Sequence, residues 1–393
     1  MQPKNNAQTI DWIQALRGMA AVLVVLTHAR VVFSQGAGQE IAWKFLVHGA
    51  VGVDLFFIIS GFIMVLTTQN CDGSARYCTD FVIKRFSRIW PLLFVVSVIY
   101  FFIAWGHAGD ISKPYVQALL SQLIFKPVSP SVANFYSMPV DLAWTLCFEA
   151  FFYFVIAISL CFGKYRWWVA LAILSMGLVI YPAVNQGFNF NFYTQPIIEW
   201  NHYLNLAIHP VVWDFVYGLI AGKIYISLRR GPPGPVAILL LLLALLAFIS
   251  IPYTHQAGMY GPTIAGGGVT MFFAFVMILL ASKSIKIPVA AWMIWLGTIS
   301  YSLYLTHRIG FIFAKEISRW LQYTGVDEIA REWVTFSIYV FFGVVAGALF
   351  HKFAEVPLSD FIRRRLKNLA SLFFNRKRNA GLEEKVLAGK TGA

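Results

Sequence analysis

Apolar runs of roughly twenty residues, each closed by a short polar break, repeat along this chain from residue 13 to residue 353. A hydrocarbon layer ~30 Å thick needs about twenty apolar residues of helix at ~1.5 Å per residue, so each run is a candidate membrane span. The pattern places ten of them, at 13–33, 45–67, 89–105, 142–162, 167–184, 206–228, 236–253, 262–282, 290–313 and 334–353. The stretch 116–125 is apolar but too short to cross, and is expected at the interface or as a re-entrant segment. The predicted fold class is all-α, a polytopic membrane helix bundle of about ten transmembrane helices. Expected boundaries are an N-terminal segment (1–10), a transmembrane domain (11–358) and a basic, partly disordered tail (359–393).

Composition strengthens this picture. Hydrophobic residues make up 59% of the chain and charged residues 12%, more apolar surface than a soluble domain of this length buries. A cleaved secretory signal is not expected, because the first run lacks a small-residue cleavage site and continues far enough to span. A net charge of +13 raises nucleic-acid binding as a reading, but the basic residues sit in alternate loops and the tail, as a membrane protein requires.

Those charges set the expected orientation. With the N-terminus inside, the inner loops hold Arg76, Lys84, Arg85 and Arg88, then Lys164 and Arg166, then Lys223, Arg229 and Arg230, then Lys283 and Lys286. The tail adds Arg363, Arg364, Arg365, Lys367, Arg376, Lys377 and Arg378. The outer stretches 185–205 and 254–261 carry no Lys or Arg, and 106–141 carries only Lys113 and Lys126. One outer loop has Lys315, Arg319 and Arg331, offset by Glu316, Asp327, Glu328 and Glu332. The positive-inside rule therefore predicts both termini in the cytoplasm. The four cysteines form no zinc or disulfide pattern. Cys147 and Cys161 read as packing residues, and Cys71 and Cys78 share a loop that this orientation makes reducing.

Candidate chemistry lies in ionisable groups at membrane depth, which are costly and usually kept for a function. Arg17 and His28 share the first span, about three turns apart. Depth along each span places Arg17 at the inner side, level with Arg85 and Arg88, and places His28, His307, Glu149 and Asp54 together in the outer layer. Simpler roles compete: arginines as positive-inside anchors, His307 as packing, Asp54 as a cap or counter-ion.

Six stretches, in order, resemble one family. They are Asp11 with Leu16-Arg17-Gly18-Met19-Ala20-Ala21 ending at His28, an Arg-x10-His signature; Gly52-Val53-Asp54-Leu55-Phe56-Phe57-Ile58-Ile59-Ser60-Gly61-Phe62; and Lys84-Arg85-Phe86-Ser87-Arg88-Ile89-Trp90-Pro91. The others are Trp144-Thr145-Leu146-Cys147-Phe148-Glu149-Ala150-Phe151-Phe152-Tyr153, Ser300-Tyr301-Ser302-Leu303-Tyr304-Leu305-Thr306-His307, and Glu355-Val356-Pro357. The chain is similar to the acyltransferase family 3 membrane proteins, which O-acylate cell-surface and exported carbohydrates. Thr145 stands where the family usually has Ser, and Ala150 where a second acidic residue is common, which puts a paired carboxylate there in doubt. The chain looks most like the shorter members tied to exopolysaccharide production.

The resemblance implies a multi-pass enzyme of the bacterial inner membrane. Its donor would be acyl-CoA, most often acetyl-CoA, with no metal. Its acceptor would be a carbohydrate such as an exopolysaccharide repeat unit or a lipid-linked sugar, and its other contact membrane lipid. Arg17, Arg85 and Arg88 are expected to hold the CoA phosphates. His28 is expected as general base, with covalent relay through an acyl-histidine as an alternative. Glu149 or Asp54 is expected to orient its imidazole. Ser60, Tyr301 and His307 are candidate donors to the oxyanion or the sugar, with Trp144 beside them as a substrate contact. The main alternative is a polytopic glycolipid or polysaccharide transporter or flippase. A polyprenyl-phosphate glycosyltransferase lacks the acidic clusters it would need, and a structural subunit has no use for Arg17 and His28 at depth.

Overall fold

The computed structural model describes residues 6–33, 38–108, 112–128, 138–185, 187–190, 198–256, 259–323 and 325–391. Among them the regular elements are helical, with an isolated β-bridge between Gly261 and Gly267. In chain order they are α1 (Asn6–Ala29), α2 (Gln39–Phe45), α3 (Gly52–Thr67), α4 (Ala75–Ala108), α5 (Lys113–Leu123), α6 (Trp144–Leu160), α7 (Arg166–Ser175) and α8 (Tyr181–Asn185). There follow α9 (Leu204–Ile208), α10 (Val212–Ser227), α11 (Gly234–Thr254), α12 (Gly268–Ala281), α13 (Ala291–Ser318), α14 (Glu328–Phe350) and α15 (Val356–Thr391). π-helical turns at Met176–Ile180 and His351–Glu355 join α7 to α8 and α14 to α15.

A helix occupies each of the ten expected stretches, and seven stretches are long and apolar enough to cross a membrane. These are Asp11–Phe33, Ala42–Thr67, Ala75–Ala104, Asp141–Leu160, Gly163–Asn185, Gly234–Thr254 and Glu328–Asn375. The remaining three fall short for physical reasons. α10 and α12 have 16 and 14 residues, and α13 buries a polar face that includes Ser300, Ser302, Thr306 and His307. The stretch expected as interfacial or re-entrant forms α5, packed against α4. The tail, expected to be partly disordered, continues as the helix α15.

α4 differs most from expectation. The third span was predicted from residue 89, with Arg85 and Arg88 in the loop before it, but the helix begins at Ala75. Both arginines therefore lie within the helix, about three turns from its start.

α1 and α13 run side by side in the same direction and cross at two glycines. A Cβ on Gly18 would come within 2.8 Å of the Gly297 backbone nitrogen, so only small residues permit this approach. The crossing sets Arg17 against Ser300 and, further along, His28 against His307. Phe56 on α3 packs against all three apolar clusters of the core. By contrast α11 exposes Leu239, Leu242, Leu245 and Leu246, a surface suited to lipid rather than water.

Candidate active site

Arg17 from α1, Arg85 and Arg88 from α4, and Glu149 and Tyr153 from α6 line one cavity of about 710 Å³. Ser60 of α3 and Ser300, Tyr301 and Tyr304 of α13 complete its wall. The same three arginines line a wider vestibule of about 1440 Å³ with Glu355, Tyr77 and Arg363. The two spaces are thus joined at the arginines.

Hydrogen bonds hold most of this wall. Arg17 donates to Gln14 Oε1 and to Ser300 Oγ, both at 3.0 Å. Arg85 donates to Thr67 Oγ1 at 3.1 Å and lies over the rings of Phe81 and Tyr153, 5.4 Å from each centroid. The Tyr153 hydroxyl donates to Glu149, one helical turn earlier. The Tyr301 hydroxyl donates to the Ile89 carbonyl at 2.6 Å. Arg88 is the exception, since no group among the described residues accepts a hydrogen bond from it. A guanidinium has five N–H donors and is weakly hydrated, so this half-buried one is open to an anion.

The second group lies further along α1 and α13. His307 is fully buried, and its Nδ1 faces the carbonyls of Leu303 at 3.1 Å and Tyr304 at 2.9 Å. A carbonyl only accepts, so Nδ1 carries the hydrogen and Nε2 keeps its lone pair. That Nε2 lies 3.2 Å from His28 Nδ1. His28 therefore donates through Nδ1, and its Nε2 is left as the basic nitrogen. Tyr304 joins the two groups. Its carbonyl holds His307, while its ring lines the cavity, packs edge-on to Phe56 and places its hydroxyl 2.9 Å from that of Thr145.

Four expected placements need correction. Glu149 was predicted beside His28 in the outer layer. It lies instead in the arginine cavity, because the early start of α4 carries Arg85 and Arg88 up to its level. Asp54 was predicted there too, yet its Oδ1 accepts the Gly261 N–H at 2.7 Å, and its carboxyl sits buried beside Asp214. It pins the loop before α12 to the start of α3. His28 is hydrogen-bonded to His307 and to the Val24 backbone, with neither carboxylate among its partners, and His307 is fully buried. Trp144, a proposed substrate contact, is buried and packs edge-on against Phe148 and Tyr260.

Sequence reading passed over Tyr153, Thr145, Tyr304 and Glu355. Glu355 lines the vestibule and accepts from Ser302 Oγ at 2.5 Å, with His351 Nδ1 at 2.9 Å. All four fall inside the stretches that carry the family resemblance.

With this geometry in place the comparisons are specific. The acyltransferase domain of acyltransferase family 3 matches residues 10–352, so the chain belongs to that family. The exopolysaccharide production protein ExoZ of Rhizobium meliloti is 28% identical over 267 residues, covering 66% of this chain and 75% of that protein. Acyltransferase MdmB of Streptomyces mycarofaciens is 25% identical over 382 residues, 90% of this chain and 92% of its own. The peptidoglycan O-acetyltransferase OatA of Listeria monocytogenes is 26% identical over 319 residues, 75% of this chain but 48% of its own, so the chain spans about half of that relative. No solved structure matches the chain. The protein is an acyl-transferring enzyme, and the transporter reading is set aside.

Proposed function

We propose that this enzyme moves an acyl group, acetyl by preference, from cytoplasmic acyl-CoA to a hydroxyl of an exported or lipid-linked carbohydrate. The observation that carries the reading is the arginine cavity, which shares α1 and α13 with a pre-oriented histidine pair. The relatives support a carbohydrate acceptor, since their names refer to exopolysaccharide production and peptidoglycan O-acetylation. Ten spans, both termini cytoplasmic and an inner-membrane location belong to the same proposal, on the loop charges.

In this mechanism Arg17, Arg85 and Arg88 take the donor's phosphates from the vestibule, where guanidinium forks match phosphate oxygens. The pantetheine arm extends past Ser60 and Tyr304 toward His28. His28 Nε2 removes the proton of the sugar hydroxyl as its oxygen attacks the thioester carbonyl. The C–S bond then breaks, and the thiolate leaves with the proton returned by the imidazolium, giving ester and free CoA. His307 fixes the tautomer that leaves Nε2 basic. The Tyr153 ring supports Arg85, and its hydroxyl holds the Glu149 carboxylate in the cavity wall.

Membranes containing the protein, given radiolabelled acetyl-CoA and deacetylated surface polysaccharide, are expected to label the polysaccharide. A His28→Ala variant, present at equal amount, should label none above background. Full activity in that variant would overturn the assignment of the base.

A further inference from the structure

A third cavity, of about 570 Å³, lies outside the machinery described so far. Its walls include Tyr181 of α8, Phe188, Asn189 and Phe190 of the following loop, and Pro210 and Trp213 at the start of α10. We propose that this recess binds sugar residues of the acceptor chain by stacking them on its aromatic faces, a subsite remote from the reacting hydroxyl. The proposal rests on the carbohydrate acceptor named above.

Contacts between elements put the recess at the same end of the bundle as the histidine pair. Thr27, next to His28, donates to the Leu46 carbonyl at 2.8 Å, in the turn that leads into α3. Asp54 at the start of α3 is bonded to Gly261. A Cβ on Gly261 would lie 3.6 Å from the Pro210 carbonyl carbon, and Pro210 is part of the recess wall. The acceptor is expected at this end.

The shape of the recess is local in origin. The Gly187 N–H donates to the Pro182 carbonyl at 2.8 Å and the residue has φ +79°, a left-handed turn that glycine adopts without strain. The turn leads directly into Phe188 and Phe190. Their rings stack at 6.4 Å with 18° between planes, and both stay exposed, at 56% and 42%.

Chemistry selects a neutral glycan as the occupant. The stretch 185–205 has no Lys or Arg, so a phosphate or CoA would find no cation. The lining is aromatic and carries no charged side chain. Sugar rings present C–H faces to aromatic planes, which matches the aromatic lining of Tyr181, Phe188, Phe190 and Trp213.

The test uses purified full-length protein and oligosaccharides from deacetylated surface polysaccharide. Glycan binding is measured by calorimetry without donor, and transfer with labelled acetyl-CoA. The double variant Phe188→Leu with Phe190→Leu keeps apolar bulk but loses both flat faces. It is expected to weaken glycan binding and raise the acceptor KM roughly tenfold, with the acetyl-CoA KM unchanged. Phe188→Ala with Phe190→Ala should do the same. Wild-type glycan affinity in the leucine pair would overturn the proposal, because it would make the rings anchors in the lipid interface or contacts for an aliphatic chain. Failure of the acyl-transfer reading looks different: no label reaches the glycan, while its binding still falls with the phenylalanine pair.

Discussion

The arginine cavity and the histidine pair share two helices, α1 and α13, and are physically opposite. The cavity opens to a vestibule, gathers Arg17, Arg85 and Arg88 around the lone carboxylate of Glu149, and leaves Arg88 with donors to spare. The histidine pair is closed. His307 is fully buried, and its two ring nitrogens are committed to carbonyls and to His28. Guanidinium donors that no acceptor uses are available to an incoming anion. An imidazole held beforehand loses no freedom when the reaction comes. One region is thus suited to receiving a charged molecule, the other to holding one side chain still.

Loss of the base should have the largest effect. His28→Ala is expected to lower kcat about 10²- to 10⁴-fold, the usual worth of general-base catalysis, with acetyl-CoA binding by calorimetry unchanged. Equal damage to donor binding would erase the division of labour between the two regions. Next comes Arg88→Met, expected to raise the acetyl-CoA KM roughly ten- to a hundredfold, as loss of charged hydrogen bonds does. Arg88→Lys should recover only part of this, because it restores the charge and not the fork. A change confined to kcat would move Arg88 from binding into chemistry.

His307 sharpens the comparison from the other side. A glutamine there can accept from His28 Nδ1 and donate toward the Leu303 and Tyr304 carbonyls, so His307→Gln should hold kcat within about threefold, while His307→Leu should lower it roughly tenfold or more. Equal kcat in the two variants would remove its positioning role. The smallest effect is expected at Asp54. An asparagine amide can still accept from Gly261 and donate to Asp214, so Asp54→Asn should alter transfer by no more than about twofold. A much larger fall, at unchanged thermal stability, would return Asp54 to the catalytic group.

The helices were legible because membrane spans are written in composition, which a window reads without knowing the neighbours. The ends were not. α4 begins fourteen residues before its predicted start, and a hydropathy scan reads these roughly four polar turns as loop. That error misplaced Arg85 and Arg88, and with them Glu149. The importance of Arg17 and His28 was legible from their cost alone. The partner of His28 was not, because depth estimates align groups along the membrane normal but carry no information on which helix faces which.

Hydrophobic length, loop charge and the ordered stretches that carry the family resemblance were determined by the sequence by itself, because each is local or one-dimensional. Partnership was decided by the tertiary structure. The close crossing of α1 and α13 at Gly18 and Gly297 joins His28 to His307, and the packing of α3, α4 and α6 against them closes three arginines around one cavity. Lateral contacts between helices distant in sequence depend on rotation about each helix axis. Rotation is set by packing against neighbours, not by the apolar pattern of one helix.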